Sequence, residues 1–137
     1  MSPNNAGRIM VVDDQENWRE LLRILLEKEG FLVTTIESFG ECQEALQQAT
    51  FDVVILDVRL IDQDTFNVEG LALLHEIRAK SPITKVVILT GYPDSIKNET
   101  GADAILLKVP HEKTFDGSEF KELVKKLASK AAVERDR

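Results

Sequence analysis

The chain lacks several features that mark well-known classes of protein. Its single cysteine, Cys42, cannot form an internal disulfide, so nothing in the sequence requires an oxidising compartment. No apolar run approaches the roughly 20 residues needed to span a bilayer, and the first seven residues are too polar for a signal peptide. These absences predict a cytoplasmic protein. We interpret Cys42 as a small residue packed on a helix.

The chain also has fewer basic than acidic side chains. The 24 acidic and 17 basic side chains give a net charge of −7, which disfavours direct binding to nucleic acid or to anionic membranes. The 137 residues suit one domain, long enough to bury about two-thirds of the surface that the unfolded chain exposes. We expect this domain to span residues 8–132. A flexible lead-in at 1–7 would precede it, and a charged C-terminal end at 133–137, a candidate for the start of a linker, would follow it.

Short apolar runs alternate with helical patterns along the chain. The runs predict strands at residues 9–12, 31–36, 51–57, 85–90 and 104–107. Apolar residues at helical spacing predict helices from Trp18, from a capping box at 38–41, around Leu74, and after a cap at Asp116. Between Gly91 and Gly101 at most two helical turns fit. This alternation predicts an α/β fold with a doubly wound, five-stranded parallel sheet of order 2-1-3-4-5.

Polar residues follow the predicted strands where each strand ends. They are Asp13 and Asp14 after the first strand, Asp57 at the end of the third, Thr90 at the end of the fourth and Lys108 after the fifth. In the predicted strand order these residues meet at one edge of the sheet, where open α/β folds place their chemistry.

Three carboxylates in a small space repel one another unless a cation lies among them. A site with few carboxylates and room for water suits Mg²⁺ better than Ca²⁺, which collects more protein oxygens. Zinc is disfavoured because His75 and His111 are isolated in the sequence, and we interpret both as surface residues.

A magnesium ion held by acids beside a lysine can neutralise a group with several negative oxygens, and a phosphoryl group is such a group. Aspartate carboxylates can act as nucleophiles that form aspartyl phosphates. We therefore expect Asp57 to attack, Asp13 and Asp14 to hold the metal, and Lys108 and Thr90 to contact the phosphoryl oxygens.

These five residues, in this order and at these strand ends, resemble the receiver domain of two-component response regulators, and the resemblance covers residues 9–130. It implies a flavodoxin-like fold and phosphotransfer to Asp57 from a histidine kinase or phosphotransfer protein. It also implies that Asp14, Asp57 and the backbone carbonyl of Arg59 bind Mg²⁺, with Asp13 acting mostly through water. Phosphorylation would draw Thr90 toward the phosphoryl group and change the surface that contacts an output domain or downstream protein. A homodimer is compatible with the resemblance.

The sequence departs from the receiver pattern beside the strand-five lysine. Ile105 stands where the family usually has an aromatic switch residue, and Val109 separates Lys108 from Pro110, which are usually adjacent. The stretch from Lys108 to the last helix is longer than usual. We therefore expect an active acceptor with an atypical output.

Two other segments also differ from the usual receiver pattern. The connection at 58–69 is several residues longer than usual, and the segment at 91–101 leaves room only for a reduced fourth helix. Arg59 and Tyr92, each two residues past a site residue, would flank the phosphoryl group and obstruct the hydrolysing water. This arrangement predicts a long-lived phosphorylated form.

Other functions remain open from the residues alone. One is a degenerate receiver-like interaction module that works without phosphorylation. Another is a Mg²⁺-dependent phosphatase, although Arg59 stands where such an enzyme needs a second acid. A flavodoxin is disfavoured because the acidic residues 13–16 would repel a flavin phosphate. We expect a signalling phosphoacceptor domain that assists only its own phosphorylation and dephosphorylation, not an enzyme with a separate substrate.

Overall fold

Five parallel strands form one sheet in the computed structural model, which describes residues 6–58, 68–91 and 101–136, the side chains of 68–71 excepted. The strands are β1 (Arg8–Val12), β2 (Leu32–Ile36), β3 (Val53–Asp57), β4 (Lys85–Thr90) and β5 (Ala104–Leu107). Their order is β2-β1-β3-β4-β5, and every neighbouring pair is parallel. The predicted doubly wound α/β fold is confirmed.

The described helices are α1 (Glu16–Glu27), α2 (Phe39–Gln48), α3 (Val68–Lys80) and α4 (Gly117–Arg135), with a 3₁₀ turn at Glu112–Thr114. In this part of the chain no helix is both long and apolar enough to cross a bilayer. The short helix expected after Gly91, and most of the connection expected at 58–69, lie outside the described residues.

Side-chain caps fix the starts of two helices where the sequence predicts them. The Ser38 hydroxyl accepts a hydrogen bond from the Glu41 N–H at 3.3 Å, and the Asp116 carboxylate accepts one from the Glu119 N–H at 3.1 Å. Each cap satisfies an N–H group that has no partner within its own helix. The starts of α2 and α4 are therefore encoded locally.

The sheet separates two apolar cores because side chains alternate between its faces. Ile9, Ile55 and Leu89 face α1 and α4, whereas Met10, Leu56 and Ile88 face α2 and α3. Every residue of β3 and β4 is buried, as expected for central strands of a parallel sheet covered on both faces. Asp57 and Thr90 are the last residues of these two buried strands.

Cys42 is fully buried in the core between the sheet and α2, and its Sγ lies 3.6 Å from the sulfur of Met10. Burial, with a smaller contribution from the charge of Glu76, raises the pKa of the Cys42 thiol to about 12. This confirms the interpretation of Cys42 as a packed core residue.

We expect the Cys42 thiol to resist iodoacetamide in the folded protein at about pH 8, because a thiol with a raised pKa stays protonated and the thiolate is the reactive form. The same thiol should react readily in denaturant, where burial no longer protects it. Intact-mass spectrometry after timed labelling measures both rates. Comparable rates in the two conditions would contradict the buried position.

The opposite edge of the sheet, where the strands begin, holds a buried carboxylate. The Asp52 side chain is 6% exposed, accepts the Arg8 N–H at 2.8 Å, and pairs with the Arg135 guanidinium from the last turn of α4. Beside it, the Lys85 ammonium lies 2.7 Å from the Glu134 carboxylate. Two ion pairs thus attach the end of α4 to the sheet.

Contacts with the sheet extend at both ends beyond residues 8–132. The charged segment at 133–137 was expected to lie outside the domain, but α4 continues through Arg135, and both Glu134 and Arg135 pair with sheet residues. At the other end, the Ala6 N–H donates to the Gly30 carbonyl, so the lead-in is attached to the fold at least from residue 6. Apolar periodicity gave no sign of either attachment because both depend on polar groups.

We expect Arg135→Ala to lower the free energy of unfolding by about 1–3 kcal/mol, because it leaves the buried Asp52 carboxylate without its charged partner. Lys130→Ala, which removes an exposed charge from the same helix, serves as the matched control and should change stability by less than about 0.5 kcal/mol. Urea titration followed by circular dichroism measures both. Equal effects of the two substitutions would show that the Asp52 pair does not stabilise the fold.

Candidate functional site

The register of the strands brings the predicted site residues together. Val12 pairs with Leu56, so Asp13 and Asp57, each one residue further along, end neighbouring strands at the same level. Thr90 pairs with Leu107, which places Lys108 one residue beyond it on the adjacent strand. The structure therefore collects these four residues at the carboxyl edge of the sheet.

Backbone hydrogen bonds continue past the strand ends and hold this edge in place. The Asp13 N–H donates to the Ile36 carbonyl at 3.0 Å, and the Lys108 N–H donates to the Thr90 carbonyl at 2.7 Å. The residue after Asp57, Val58, donates its N–H to the Leu89 carbonyl at 3.0 Å. The predicted site residues thus lie on backbone that is hydrogen-bonded to the neighbouring strand.

The Lys108 ammonium lies between two of the acids. Its Nζ is 2.8 Å from Asp13 Oδ2 and 3.3 Å from Asp57 Oδ1, and the lysine side chain is only 10% exposed. Asp13 and Asp57 are buried as well. A buried charge needs a partner of opposite sign. Asp13 and Asp57 share Lys108 as that partner.

Carboxylate oxygens of Asp13, Asp14 and Asp57 lie within 4.8 Å of one another. Asp14 is exposed to solvent, so the cluster is open on one side. Hard oxygen ligands with space for water are what Mg²⁺ requires, and no nitrogen or sulfur ligand belongs to this described cluster. The donor set fits the expected ion, although the predicted backbone ligand, Arg59, lies outside the described residues.

Thr90 is fully buried at the end of β4, next to the backbone of Lys108. Ile105, which replaces the usual aromatic switch residue, is partly buried and packs against the core that lies between the sheet and α2 and α3. The predicted modulating residues Arg59 and Tyr92 both lie outside the described residues. His75 and His111 are exposed, as predicted.

Two residues at the site were not predicted from the sequence as functional. Lys108 Nζ donates a hydrogen bond to Gln15 Oε1 at 2.9 Å, and it lies 5.2 Å from the centre of the Trp18 ring. Trp18 was predicted as the first apolar residue of a helix, but its contact with Lys108 was missed. The position of Gln15 directly after the acid pair is the one available signal for it.

Residues 9–125 match the sequence profile of the response regulator receiver domain. The chain therefore belongs to this family and is a receiver domain of two-component signalling systems. The expected resemblance is confirmed over most of the chain.

Curated relatives share this domain within much longer proteins. The chain is 35% identical over 102 residues to the alginate biosynthesis transcriptional regulatory protein AlgB of Pseudomonas putida, covering 74% of this chain and 21% of that protein. It is 38% identical over 88 residues to the DNA-binding transcriptional regulator NtrC of Escherichia coli, covering 64% of this chain and 18% of that protein. The chain thus spans about a fifth of the length of these relatives.

Solved structures show the same architecture. The response regulator TrrA from Thermotoga maritima, solved in complex with Mg²⁺ and BeF, is 35% identical, with a TM-score of 0.71 over 88% of this chain and 97% of that one. NtrX from Brucella abortus, solved in complex with ATP, is 25% identical, with a TM-score of 0.79 over 96% of this chain and 29% of that one.

We expect Lys108→Met to bind Mg²⁺ roughly ten times more tightly than the wild type. The ammonium is paired with Asp13 and Asp57 and repels Mg²⁺, and removing it should favour binding by about 1.4 kcal/mol. Isothermal titration calorimetry in low salt measures the affinity. Lys126→Met, which removes an exposed charge from α4, is the matched control and should leave the affinity unchanged. Unchanged or weaker binding by Lys108→Met would contradict the shared ion pair.

Proposed function

We propose that Asp57 is the phosphoacceptor of this receiver domain and that it takes a phosphoryl group from a phosphohistidine of a histidine kinase or phosphotransfer protein. The observation that carries this proposal is the pairing of the buried Asp57 carboxylate with the Lys108 ammonium at 3.3 Å, beside two further acids. The carboxylate is an available nucleophile, and the lysine supplies positive charge where phosphoryl oxygens would lie.

In the proposed transfer, a carboxylate oxygen of Asp57 attacks the phosphorus and an O–P bond forms. The P–N bond to the histidine breaks, its electron pair returns to the imidazole nitrogen, and the imidazole ends neutral after any proton exchange with solvent. Lys108 would move from its carboxylate partners to a phosphoryl oxygen, and the Thr90 hydroxyl would donate to another. The protein supplies positioning and charge neutralisation, which phosphoryl transfer chiefly requires.

Asp13, Asp14, Asp57 and the backbone carbonyl of Arg59 are the proposed Mg²⁺-binding groups. When bound, the ion would neutralise charge on the phosphoryl oxygens. The openness of the cluster on the side of Asp14 supports this assignment, because an ion that keeps several waters needs such an opening. The Mg²⁺ and BeF complex of TrrA supports it by similarity.

The larger context is also proposed. In AlgB and NtrC the matched region is about a fifth of a transcriptional regulator, so we propose that this domain, residues 8–132 and the rest of α4, controls an output domain or a separate downstream protein. The net charge of −7 argues against direct contact with nucleic acid or membrane. A cytoplasmic location and a possible homodimer complete the proposal, and Arg59, Tyr92 and Ile105 remain predicted modulating residues.

The phosphoacceptor assignment is tested by intact-mass spectrometry after incubation with acetyl phosphate, with and without Mg²⁺. We expect the wild type to gain one phosphoryl group only when Mg²⁺ is present, and Asp57→Asn to gain none. Glu44→Gln, which removes an exposed acid on α2, is the control and should behave as the wild type.

Two results would overturn the assignment. Phosphorylation that persists in Asp57→Asn would place the acceptor elsewhere. A folded wild type that gains no phosphoryl group would favour the degenerate interaction module that works without phosphate.

A further inference from the structure

Among the described residues, the Lys108 ammonium also contacts Gln15 and Trp18. Its Nζ donates to Gln15 Oε1 at 2.9 Å and lies 5.2 Å from the centre of the Trp18 ring. With the 2.8 Å contact to Asp13 and the 3.3 Å contact to Asp57, the ammonium, which has three N–H donors, has three oxygen atoms within 3.3 Å. The aromatic ring lies close enough for a cation–π interaction.

The ring of Trp18 also packs against other aromatic rings. Trp18 is 2% exposed and belongs to the core between the sheet and the α1 and α4 helices. The ring of Phe115 meets it edge to face, with ring centres 5.3 Å apart and planes at 77°, and Phe115 in turn contacts Phe120 of α4 at 5.5 Å. The Trp18 ring that lies beside Lys108 is therefore a buried, packed part of this core.

Gln15 is tied to the acid pair by its backbone. Its N–H donates to Asp13 Oδ1 at 2.9 Å, while Oδ2 of the same carboxylate accepts from Lys108. The Arg19 guanidinium donates to the Asp13 carbonyl at 2.8 Å and secures the same turn. The backbone of Gln15 is thus held beside Asp13, and its exposed side chain accepts a hydrogen bond from the Lys108 ammonium.

Lysine ends in a flexible four-carbon chain whose ammonium can rotate freely. Two carboxylates alone would attract the ammonium but would not select one position for it. A neutral oxygen and an aromatic face add direction without adding negative charge to a site that already has three acids. They also leave the carboxylates available once other positive charge arrives.

We propose that Gln15 and Trp18 are positioning residues for Lys108, which keep its ammonium beside Asp57 before the phosphoryl group arrives. Gln15 acts through its amide oxygen, and Trp18 acts through the face of its ring. This inference rests on the proposed role of Lys108 in contacting the phosphoryl oxygens. It assigns a role to a residue on the exposed start of α1 and to one in the core.

The first test compares phosphorylation rates with acetyl phosphate at saturating Mg²⁺ in Gln15→Met, Lys108→Met and the double variant. Gln15→Met retains the length of the side chain and its exposed position while removing the acceptor oxygen. We expect Gln15→Met to be phosphorylated about ten times more slowly, because a hydrogen bond to a charged group contributes roughly 1.5 kcal/mol or more. In the Lys108→Met background the same change should have no further effect. Independent, multiplicative losses in the double variant would overturn the role of Gln15.

The second test concerns Trp18 and uses three substitutions. Trp18→Leu should slow phosphorylation, and Trp18→Phe, which retains an aromatic face, should restore most of the rate. Phe31→Leu removes a ring from the same core at the far end of the sheet, so it should lower stability without changing the rate. Equal rates for Trp18→Leu and Trp18→Phe would overturn the role of the ring.

A spectroscopic measurement separates this inference from the phosphoacceptor assignment. In the wild type, the ring current of Trp18 should shift the side-chain proton resonances of Lys108 upfield, and Gln15→Met should reduce that shift. If the wild type shows the shift but gains no phosphoryl group, the positioning stands and the phosphoacceptor assignment fails. If the shift is missing, or is unaffected by Gln15→Met, the positioning is wrong even in a protein that phosphorylates normally.

Discussion

In the described part of the chain, one ammonium group offsets part of the negative charge that gathers at the carboxyl edge of the sheet. The parallel strand order brings Asp13, Asp14 and Asp57 within a few ångströms of one another, and such a cluster is unfavourable without a cation. Lys108 supplies that cation from the adjacent end of β5. The same contact suits the proposed role of Lys108, because a positive group that neutralises carboxylates can also neutralise phosphoryl oxygens.

The surroundings of the lysine show how a core can direct a site. A tryptophan buried between the sheet and the helices lies with its ring beneath the ammonium and belongs to the apolar core. The Trp18 ring contacts Phe115, and Phe115 contacts Phe120 of α4. The position of the Lys108 ammonium therefore depends on packing in the core. Ile105 contributes to the opposite core, and the aromatic contacts lie on the face that it does not share.

Strand periodicity and the residues after each strand were enough to predict the fold and which polar side chains lie together at the carboxyl edge of the sheet. The reason is geometric: once the strand order is known, the carboxyl ends of parallel strands must meet. The contacts of Lys108 with Gln15 and Trp18 could not be predicted in this way, because they depend on the rotation of α1 about its axis and on where a long side chain ends. The Asp52–Arg135 pair was missed because charged residues at the end of a helix carry no apolar period that could indicate an attachment.

Strand β3 has a buried acid near each of its ends, and both acids take their cations from the C-terminal part of the chain. Asp57 relies on Lys108, and Asp52 relies on Arg135, which is 83 residues further along the sequence. During synthesis from the N-terminus, the centre of the sheet is therefore translated long before the groups that neutralise it. The two acids of β3 can both be paired only after the last helix has left the ribosome. The domain is therefore expected to complete its folding late and as one unit.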